Sequence, residues 1–250
     1  MNGPDNQRVV EPHPVLTGFY GQRAQRSSFV RRLFNETAPY YDGLNQLFSL
    51  GSGAWYRRRS LLRAGLRPGL KVIDVAVGTG LLAREIVGIT GRAGDVIGID
   101  LSEAMLAAAR RKLNIRLIQG IAEQLPFADE SADFLTMGYA LRHVSDLVGA
   151  FREFHRVLRP GGTVVLLEIS KPTRALSHAL LSAYLGRMIP FICRFTSGGG
   201  TETLMEYYWE TIENCVPPEI ILEAMAQGGF GDLRCNADVS IFRSYVGRKP

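Results

Sequence analysis

From residue 71 onward, short apolar runs rich in β-branched residues alternate with stretches whose apolar positions recur at helical spacing. The apolar runs predict five strands, at Lys71–Val77, Asp95–Ile99, Ile115–Ile118, Ala132–Met137 and Thr163–Leu167. The amphipathic stretches predict helices over Leu81–Val87, Ser102–Lys112 and Leu147–Leu158, with Ser102 as an N-cap. This alternation predicts a parallel, doubly wound sheet with a ligand site at the carboxyl ends of its strands.

The residues before these strands have a different pattern. Residues 1–27 contain Pro and Gly with little periodicity, which predicts a flexible N-terminal arm. Residues 28–70 combine helical spacing with aromatic side chains and end at the turn Arg67-Pro68-Gly69. We therefore expect a helical cap at the start of one domain that extends from residue 28 to residue 250.

The residues after the alternation also differ from it. Residues 171–215 contain the apolar helical stretch Ala175–Trp209, which predicts a lid inserted on the substrate side of the sheet. A last helix is predicted at Glu219–Ala226. Two short strands follow, Asp232–Asn236 and Ser240–Gly247, and they are close enough in sequence to form a terminal antiparallel hairpin.

The composition of the 250 residues, 46% hydrophobic and 21% charged, is that of an ordinary globular protein. It excludes a disordered, collagen-like or multi-spanning membrane chain. No secretory signal pattern and no apolar run of membrane-spanning length are found, so we expect a soluble domain. Three cysteines in no CxxC arrangement favour a reducing compartment, without a disulfide framework or a zinc site.

The net charge of 29 − 24 = +5 is concentrated at the beginning of the chain. Residues 1–70 hold ten Arg against four acidic residues, whereas the remainder carries a charge of −1. Such a basic segment could contact phosphates, anionic lipid headgroups or an acidic partner. A solvated basic surface is the alternative.

The main chemical signal is the loop Asp74–Gly80 at the end of the first predicted strand. Its small residues let a ligand approach the backbone, and the following helix offers free N–H groups. Gly78-x-Gly80-x-x-Ala83, with Asp100 twenty residues after Gly80, fits a dinucleotide or S-adenosylmethionine. Asp74 favours S-adenosylmethionine, because a carboxylate repels a pyrophosphate and attracts a sulfonium or an amino group. The predicted terminal hairpin also favours S-adenosylmethionine, because an antiparallel hairpin after the fifth parallel strand is foreign to the dinucleotide-binding fold.

A succession of motifs resembles the class I methyltransferases of ubiquinone and menaquinone biosynthesis, the UbiE/Coq5 family. The motifs are Phe34-x-x-x-Ala38-x-x-Tyr41-Asp42-x-x-Asn45, Asp74–Gly80, Asp100-Leu101-Ser102-x-x-Met105-Leu106, Ala122-Glu123-x-Leu125-Pro126-Phe127, Leu141-Arg142-x-Val144-x-Asp146, Arg156–Gly162 and Glu168-x-Ser170-Lys171-Pro172. The resemblance covers about residues 30–248. It implies a Rossmann-like α/β fold with a seven-stranded, mostly parallel sheet, S-adenosylmethionine as cofactor and a lipophilic quinone as substrate.

The resemblance also implies a set of cofactor-binding residues. Gly78, Thr79 and Gly80 would hold the methionine portion, and Asp100 would bind the ribose hydroxyls. The full set of candidates is Asp74, Gly78, Thr79, Gly80, Asp100, Leu101, Met105, Ala122, Glu123 and Tyr139.

A quinol methyltransferase must remove a phenol proton, and the resemblance places this task at Arg142 and its neighbour. That neighbour is His143, where the family has Asn. A histidine can transfer protons near neutral pH and can bind a metal, but it can also be a hydrogen-bonded structural residue. Tyr40, Tyr41 and Asp42 from the cap are expected to close over the reactive end of the cofactor.

Two further positions depart from the family. Val77 stands in place of Gly or Cys, and Ile121 replaces an Asp or Asn that would bond the adenine amino group. The Val77–Gly80 loop and the Leu141-Arg142-His143 segment resemble the RquA-like branch of rhodoquinone biosynthesis. This resemblance implies that an amino group from S-adenosylmethionine replaces a ring methoxy group of ubiquinone. The alternatives are C-methylation of a demethylated ubiquinol, menaquinol or related lipophilic phenol, and a non-catalytic subunit of a quinone-biosynthesis assembly.

For a lipophilic quinone we expect a cytoplasmic, bacterial protein at the periphery of the inner membrane. The basic residues that would face anionic lipid are Arg23, Arg26, Arg31, Arg32 and Arg57–Arg59. The helical stretch of the lid would supply an apolar pocket for the polyprenyl tail. No spacing of candidate metal-ligating residues identifies a metal site, and a divalent metal ion as a cofactor is left open. Gly138-Tyr139-Ala140 replaces the Pro-rich catalytic loop of nucleic-acid methyltransferases, so no nucleic-acid partner is expected.

Overall fold

The computed structural model describes residues 9–49, 51–172, 174–191, 199–238 and 241–250. A turn of 3-10 helix at Arg23–Gln25 precedes three N-terminal helices, α1 (Arg26–Thr37), α2 (Tyr41–Ser49) and α3 (Gly53–Arg63). The strands are β1 (Val72–Val75), β2 (Val96–Asp100), β3 (Arg116–Gln119), β4 (Ala132–Gly138), β5 (Leu158–Ile169), β6 (Gly231–Asp238) and β7 (Phe242–Arg248). The other helices are α4 (Leu81–Thr90), α5 (Glu103–Arg110), α6 (Leu147–Val157), α7 (Ala175–Ala183), α8 (Gly199–Glu213) and α9 (Pro218–Gln227). A π-helical turn, Tyr184–Met188, continues α7.

The seven strands form one sheet in the order β3-β2-β1-β4-β5-β7-β6. Strands β1 to β5 run parallel, and β7 pairs antiparallel with both β5 and β6. The predicted sheet with a terminal antiparallel hairpin is therefore confirmed. Because β1 lies between β2 and β4, the strand order reverses there, and ligands bind at the carboxyl ends of strands around such a point.

Alternate residues of the strands face helices on opposite sides of the sheet. Ile73 and Leu135 belong to a core that includes Phe151 of α6. Their neighbours Val72 and Phe134 belong to a second core, with helices α3 and α4. A sheet covered on both faces explains why its strands read as nearly continuous apolar runs.

Strand β5 is longer than the predicted strand Thr163–Leu167, because it begins at Leu158 and includes Arg159–Gly162. Gly161 N–H donates to Lys249 O, and Lys249 N–H donates to Gly162 O, both at 2.9 Å. Gly161 adopts a φ of +77°, which glycine reaches without a steric penalty. The partner of this stretch lies at the other end of the chain, so local periodicity could not reveal the pairing.

Residues 9–27 are packed against the domain, which corrects the expectation of a flexible arm; residues 1–8 lie outside the described residues. The fully buried guanidinium of Arg26 organises this segment. It donates to Glu11 Oε2 at 3.0 Å, to His13 O at 2.9 Å and to Val144 O at 3.0 Å. A buried charge with these partners holds the segment against the strand ends.

The insertion and the N-terminal helices share one apolar core. Leu181 and Leu185 of the insertion belong to it together with Phe29, Val30 and Leu33 of α1. The insertion therefore packs on the helix that covers the strand ends. No helix in the described ranges is long and apolar enough to cross a membrane.

Candidate functional site

A cavity lies at the carboxyl ends of β1, β2 and β4 beneath α1. Its volume is about 800 Å³ when the space at its opening to solvent is included. We call it the main cavity. Nine of the sequence-predicted site residues line it: Tyr41, Gly78, Asp100, Leu101, Met105, Ala122, Glu123, Tyr139 and His143. The other six, Tyr40, Asp42, Asp74, Thr79, Gly80 and Arg142, are not part of its wall.

Asp100 is the buried carboxylate of the main cavity. Its Oδ2 accepts the Gly78 N–H at 2.8 Å, and its Oδ1 accepts the Ser102 N–H at 2.8 Å. Burial raises the pKa of Asp100 to about 6, although these backbone donors counteract the rise. Gly78 has a φ of +55° and faces open space where a Cβ would project, so a ligand could contact its backbone.

Two non-glycine residues at the cavity have left-handed backbone conformations. Ala76, after β1, has a φ of +56°, and Tyr139, after β4, has a φ of +61°. Such conformations are rare for residues with a Cβ and cluster at functional sites. Glu123 also lines the cavity, and its Oε1 accepts the Ser145 N–H at 2.6 Å, which joins the loop after β3 to the loop after β4.

His143 is enclosed by aromatic side chains. Its ring stacks on Tyr207 at 5.4 Å between centroids and meets Phe34 edge-on at 5.3 Å. Nδ1 lies 3.3 Å from Tyr207 Oη, whereas Nε2 is buried without a hydrogen-bond partner. Burial, together with the nearby Arg142, His13 and Arg26, holds the pKa of His143 well below its usual value. The imidazole is therefore neutral at pH 7.

Arg142 lies behind the cavity wall, which corrects its expected contact with the substrate. Its side chain is fully buried, donates to Glu168 Oε2 at 2.9 Å and to Thr211 Oγ1 at 2.7 Å, and stacks on Tyr208. The other oxygen of Glu168 accepts the Leu141 N–H at 2.7 Å. This buried ion pair fixes the turn that carries His143.

The cap residues have separate roles. Tyr41 lines the main cavity, whereas the side chain of Tyr40 is 49% exposed and lines no cavity described here, so Tyr40 does not close over the site. Asp42 accepts the hydroxyl of Thr79 at 2.5 Å and forms an ion pair with Lys112. Asp42 thus links α2 to the glycine loop and to the residues after α5.

Asp74 and Gly80 support the loop from behind. Asp74 Oδ1 accepts the hydroxyl of Thr136 at 2.6 Å, and its Oδ2 is buried without a partner. Gly80 has a φ of +89°, which strains any residue with a Cβ, and that Cβ would also lie 2.6 Å from Leu113 Cδ1. Val77 is buried among Ala83 and Leu106 and does not enter the main cavity.

A second cavity, of about 350 Å³ with its mouth, lies beside the glycine loop; we call it the side cavity. It shares Tyr41, Gly78 and Tyr139 with the main cavity and is lined by Thr79 and Arg57. Arg57 is buried, donates to Asn45 Oδ1 at 2.5 Å and lies over the Tyr139 ring at 5.5 Å. Arg57 was expected at a lipid-facing surface, and its burial beside the glycine loop corrects that expectation.

No group of three or more metal-ligating side chains is found among the described residues. Cys215 and Cys235 are free thiols, and Cys193 lies outside the described residues. A small apolar cavity lies beneath the π-helical turn of the insertion. It is lined by Leu185, Tyr208 and Trp209, among others.

Asp74 is expected to make the protein less stable as the pH rises. Its folded-state pKa of about 7 lies above the ordinary value of 3.8 because of burial. The folded state therefore binds more protons between these values, and stability is lost as the pH rises through that window. From about pH 5.5 to about pH 8 we expect a loss of about 2 kcal/mol in the free energy of unfolding from this group.

Urea unfolding at the two pH values measures this effect, and Asp74→Asn should remove it. Asp133→Asn is the control: burial alone would raise the pKa of Asp133, but the Lys71 N–H and Arg159 hold it below 3.8. A carboxyl group with a lowered pKa adds a constant amount to the free energy of unfolding above about pH 5. Asp133→Asn should therefore change that free energy equally at both pH values. An unchanged pH dependence in Asp74→Asn would contradict the assignment.

Solved structures of S-adenosylmethionine-dependent methyltransferases have the same fold. A methyltransferase of Aquifex aeolicus is 18% identical, with a TM-score of 0.58 over 78% of this chain and 89% of that chain. A methyltransferase of Thermotoga maritima is 19% identical, with a TM-score of 0.63 over 88% of this chain and 99% of that chain. The fold is therefore that of the class I S-adenosylmethionine-dependent methyltransferases.

The sequence matches the ubiE/COQ5 methyltransferase family over residues 21–238. The chain is 36% identical to the ubiquinone/menaquinone biosynthesis C-methyltransferase UbiE of Coxiella burnetii. The match extends over 215 residues, which are 83% of this chain and 85% of that protein. The UbiE of Shewanella sp. strain ANA-3 is 32% identical over 213 residues, 82% of this chain and 84% of that protein. The chain belongs to the ubiE/COQ5 family and is an S-adenosylmethionine-dependent methyltransferase of quinone biosynthesis. These relatives support methyl transfer and give no support to the expected amino transfer or to the RquA-like branch.

Proposed function

We propose that this enzyme methylates a ring carbon of a lipophilic quinol, with the ring held in the main cavity beside His143. The observation that carries the proposal is that His143 lines that cavity and has an Nε2 that is buried without a hydrogen-bond partner. A quinol ring with its hydroxyl group fits a largely apolar wall that offers one free hydrogen-bonding nitrogen. The C-methyltransferases of the family support the same class of substrate.

The main cavity has groups that fit S-adenosylmethionine. In the described part of the chain no ion pair neutralises Asp100, and ribose hydroxyls would donate to its remaining lone pairs. The exposed backbone at Gly78 would allow close approach, while Leu101, Met105 and Ala122 offer apolar contacts for the adenine. When bound, the cofactor supplies an electrophilic methyl group.

His143 would make the ring carbon nucleophilic. With the proton of the imidazole on Nδ1, directed at Tyr207, the lone pair of Nε2 is free to accept the quinol hydroxyl proton. The lowered pKa keeps this nitrogen unprotonated at neutral pH. Arg142 and Glu168 act on this step as positioning residues, because they fix the turn on which His143 lies.

Arg57 would bind the carboxylate of the cofactor in the side cavity. Since charge-assisted hydrogen bonds contribute roughly 1.5–3 kcal/mol, Arg57→Ala should raise the Kd for S-adenosylmethionine about tenfold or more in calorimetry. Methylthioadenosine lacks the amino acid portion, so its affinity should not change. Arg58→Ala, on the exposed side of the same helix, is the matched control. Equal losses for both ligands would contradict this role.

Quinone extracts of a bacterial host test the proposed function. In a host that lacks its own quinone C-methyltransferase, expression of this chain should restore the methylated quinone, as measured by mass spectrometry. The variant Asp100→Asn, expressed to the same level, should not restore it. Accumulation of the demethylated quinone despite folded wild-type protein would contradict the proposal.

A second candidate is the replacement of a ring methoxy group of ubiquinone by an amino group. Two of the departures from the family, Ile121 and His143, lie in the wall of the main cavity, and this observation favours altered chemistry. Val77 does not line the main cavity but lines the side cavity instead. An aminoquinone in extracts of a ubiquinone-producing host would favour this candidate.

A further inference from the structure

Exposed apolar side chains are concentrated on one helical segment of the insertion. Nine large apolar side chains are exposed in the described residues, and four of them fall between Leu176 and Phe191. Their exposed fractions are 74% for Leu176, 64% for Leu180, 45% for Met188 and 65% for Phe191. We call these four residues the apolar stripe. Patches of this kind mark contacts with proteins or membranes.

The π-helical turn aligns the apolar stripe. Along a regular α-helix, at about 100° per residue, Met188 would lie roughly 120° around the helix from Leu176. The π-helical turn Tyr184–Met188 accommodates about one extra residue, which returns Met188 to within about 30° of Leu176. Leu181 and Leu185, on the opposite side, are buried in the core shared with α1. The segment is thus amphipathic, with an outward apolar face.

The same part of the chain contains basic but no acidic residues, although Glu213 of α8 pairs with Lys171 and His178. No Asp or Glu occurs between Glu168 and Glu202, whereas Lys171, Arg174, Arg187 and Arg194 do. Arg174 and Arg187, exposed near the two ends of the apolar stripe, form no ion pair in the described part of the chain. An apolar face flanked by cations is typical of helices that lie in the interface of an anionic bilayer.

We infer that the apolar stripe inserts into the headgroup region of an anionic lipid bilayer, with Arg174 and Arg187 at the lipid phosphates. The purpose of this contact rests on the proposed function, because a lipophilic quinone is dissolved in a bilayer. The contact itself does not need the substrate. Of the arginines that the sequence suggested for lipid contact, Arg26 and Arg57 are buried and cannot reach lipid, whereas Arg31, Arg32, Arg58 and Arg59 are exposed.

A second copy of the chain fits the apolar stripe less well. A symmetric dimer would place identical patches against each other and bring the arginines of both copies together. Like charges at such short range oppose association, whereas anionic headgroups neutralise them. Charge complementarity therefore favours lipid.

Co-sedimentation of the full chain with vesicles tests the inference, without cofactor or quinone. Binding to phosphatidylcholine vesicles should increase about tenfold or more when phosphatidylglycerol is included, and should weaken with added salt. Leu176→Ser/Leu180→Ser should reduce the binding about tenfold or more, and Arg174→Gln/Arg187→Gln should remove the preference for phosphatidylglycerol. Thermal melting confirms that the variants are folded.

The matched control is Val9→Ser/Leu62→Ser, which removes two exposed apolar side chains elsewhere and should leave vesicle binding unchanged. Equal binding by the Leu176→Ser/Leu180→Ser variant and the wild type would overturn the inference. So would a wild-type dimer in sedimentation equilibrium that dissociates in this variant. Methylation of a water-soluble, short-tailed quinol should be unaffected by these substitutions. A wild-type protein that binds the vesicles but does not methylate this quinol would count against the proposed function and not against the membrane contact.

Discussion

His143→Ala is expected to lower kcat by about 100-fold or more, because a positioned general base contributes roughly 10²–10⁴-fold. The affinity for S-adenosylmethionine should stay within about twofold, since the imidazole is assigned to the quinol and not to the cofactor. Single-turnover methylation of a short-tailed demethylated quinol measures the first quantity, and calorimetry measures the second. The acid limb of the wild-type pH–rate profile should lie below the usual histidine pKa of 6.5, because the pKa of His143 is lowered.

Two further variants separate catalysis from structure. His143→Asn should recover part of the rate, because an amide oxygen still accepts a hydrogen bond from the hydroxyl. His155→Ala removes a histidine that packs on Phe230, remote from the cavity wall, and should leave kcat unchanged. A parallel loss of cofactor affinity and rate in His143→Ala would show that His143 is a structural residue.

Asp100→Asn is expected to raise the Kd for S-adenosylmethionine about 100-fold. The substitution keeps the shape of the side chain but replaces a buried carboxylate, and hydrogen bonds to a charged group contribute roughly 1.5–3 kcal/mol each. Two ribose hydroxyls that donate to the carboxylate account for a loss of this size. Calorimetric titration of the purified variant gives the measurement.

The control for Asp100→Asn is Glu103→Gln, an exposed acid three residues further along at the start of α5. It changes the net charge equally and should bind the cofactor as the wild type does. The Gly78 and Ser102 N–H groups both donate to Asp100, so thermal melting of Asp100→Asn has to show that the loop is intact. Similar affinities for Asp100→Asn and the wild type would contradict the assignment of the ribose site.

The sequence predicted well which residues at or after the ends of β2 and β3 line the main cavity. Asp100, Met105, Ala122 and Glu123 follow the ends of two neighbouring strands, and strand ends of a parallel sheet converge on one edge. The capping of α5 was also predictable, and Ser102 Oγ accepts the Met105 N–H at 3.1 Å. Local patterns sufficed because each of these residues is positioned by its own strand or helix.

The rest of the site depends on contacts between distant segments. Arg142 and Glu168 form a buried ion pair that no local pattern indicates, and Tyr40 differs from Tyr41 by facing solvent. For Arg57 a signal did exist. Together with the buried Ser60 and Leu61 it lies on one face at helical spacing, which predicts that Arg57 points inward while its neighbours remain outside.

The most direct test of the proposed reaction follows two labels in the cofactor. Purified protein is given S-adenosylmethionine with ¹³C in the methyl group and ¹⁵N in the amino group, in separate reactions with a short-tailed demethylated quinol and with ubiquinone. Methyl transfer to a ring carbon predicts a quinone product that gains one ¹³C methyl group from the demethylated quinol. A ubiquinone-derived product that carries ¹⁵N, with no ¹³C transferred to the quinol, would contradict it.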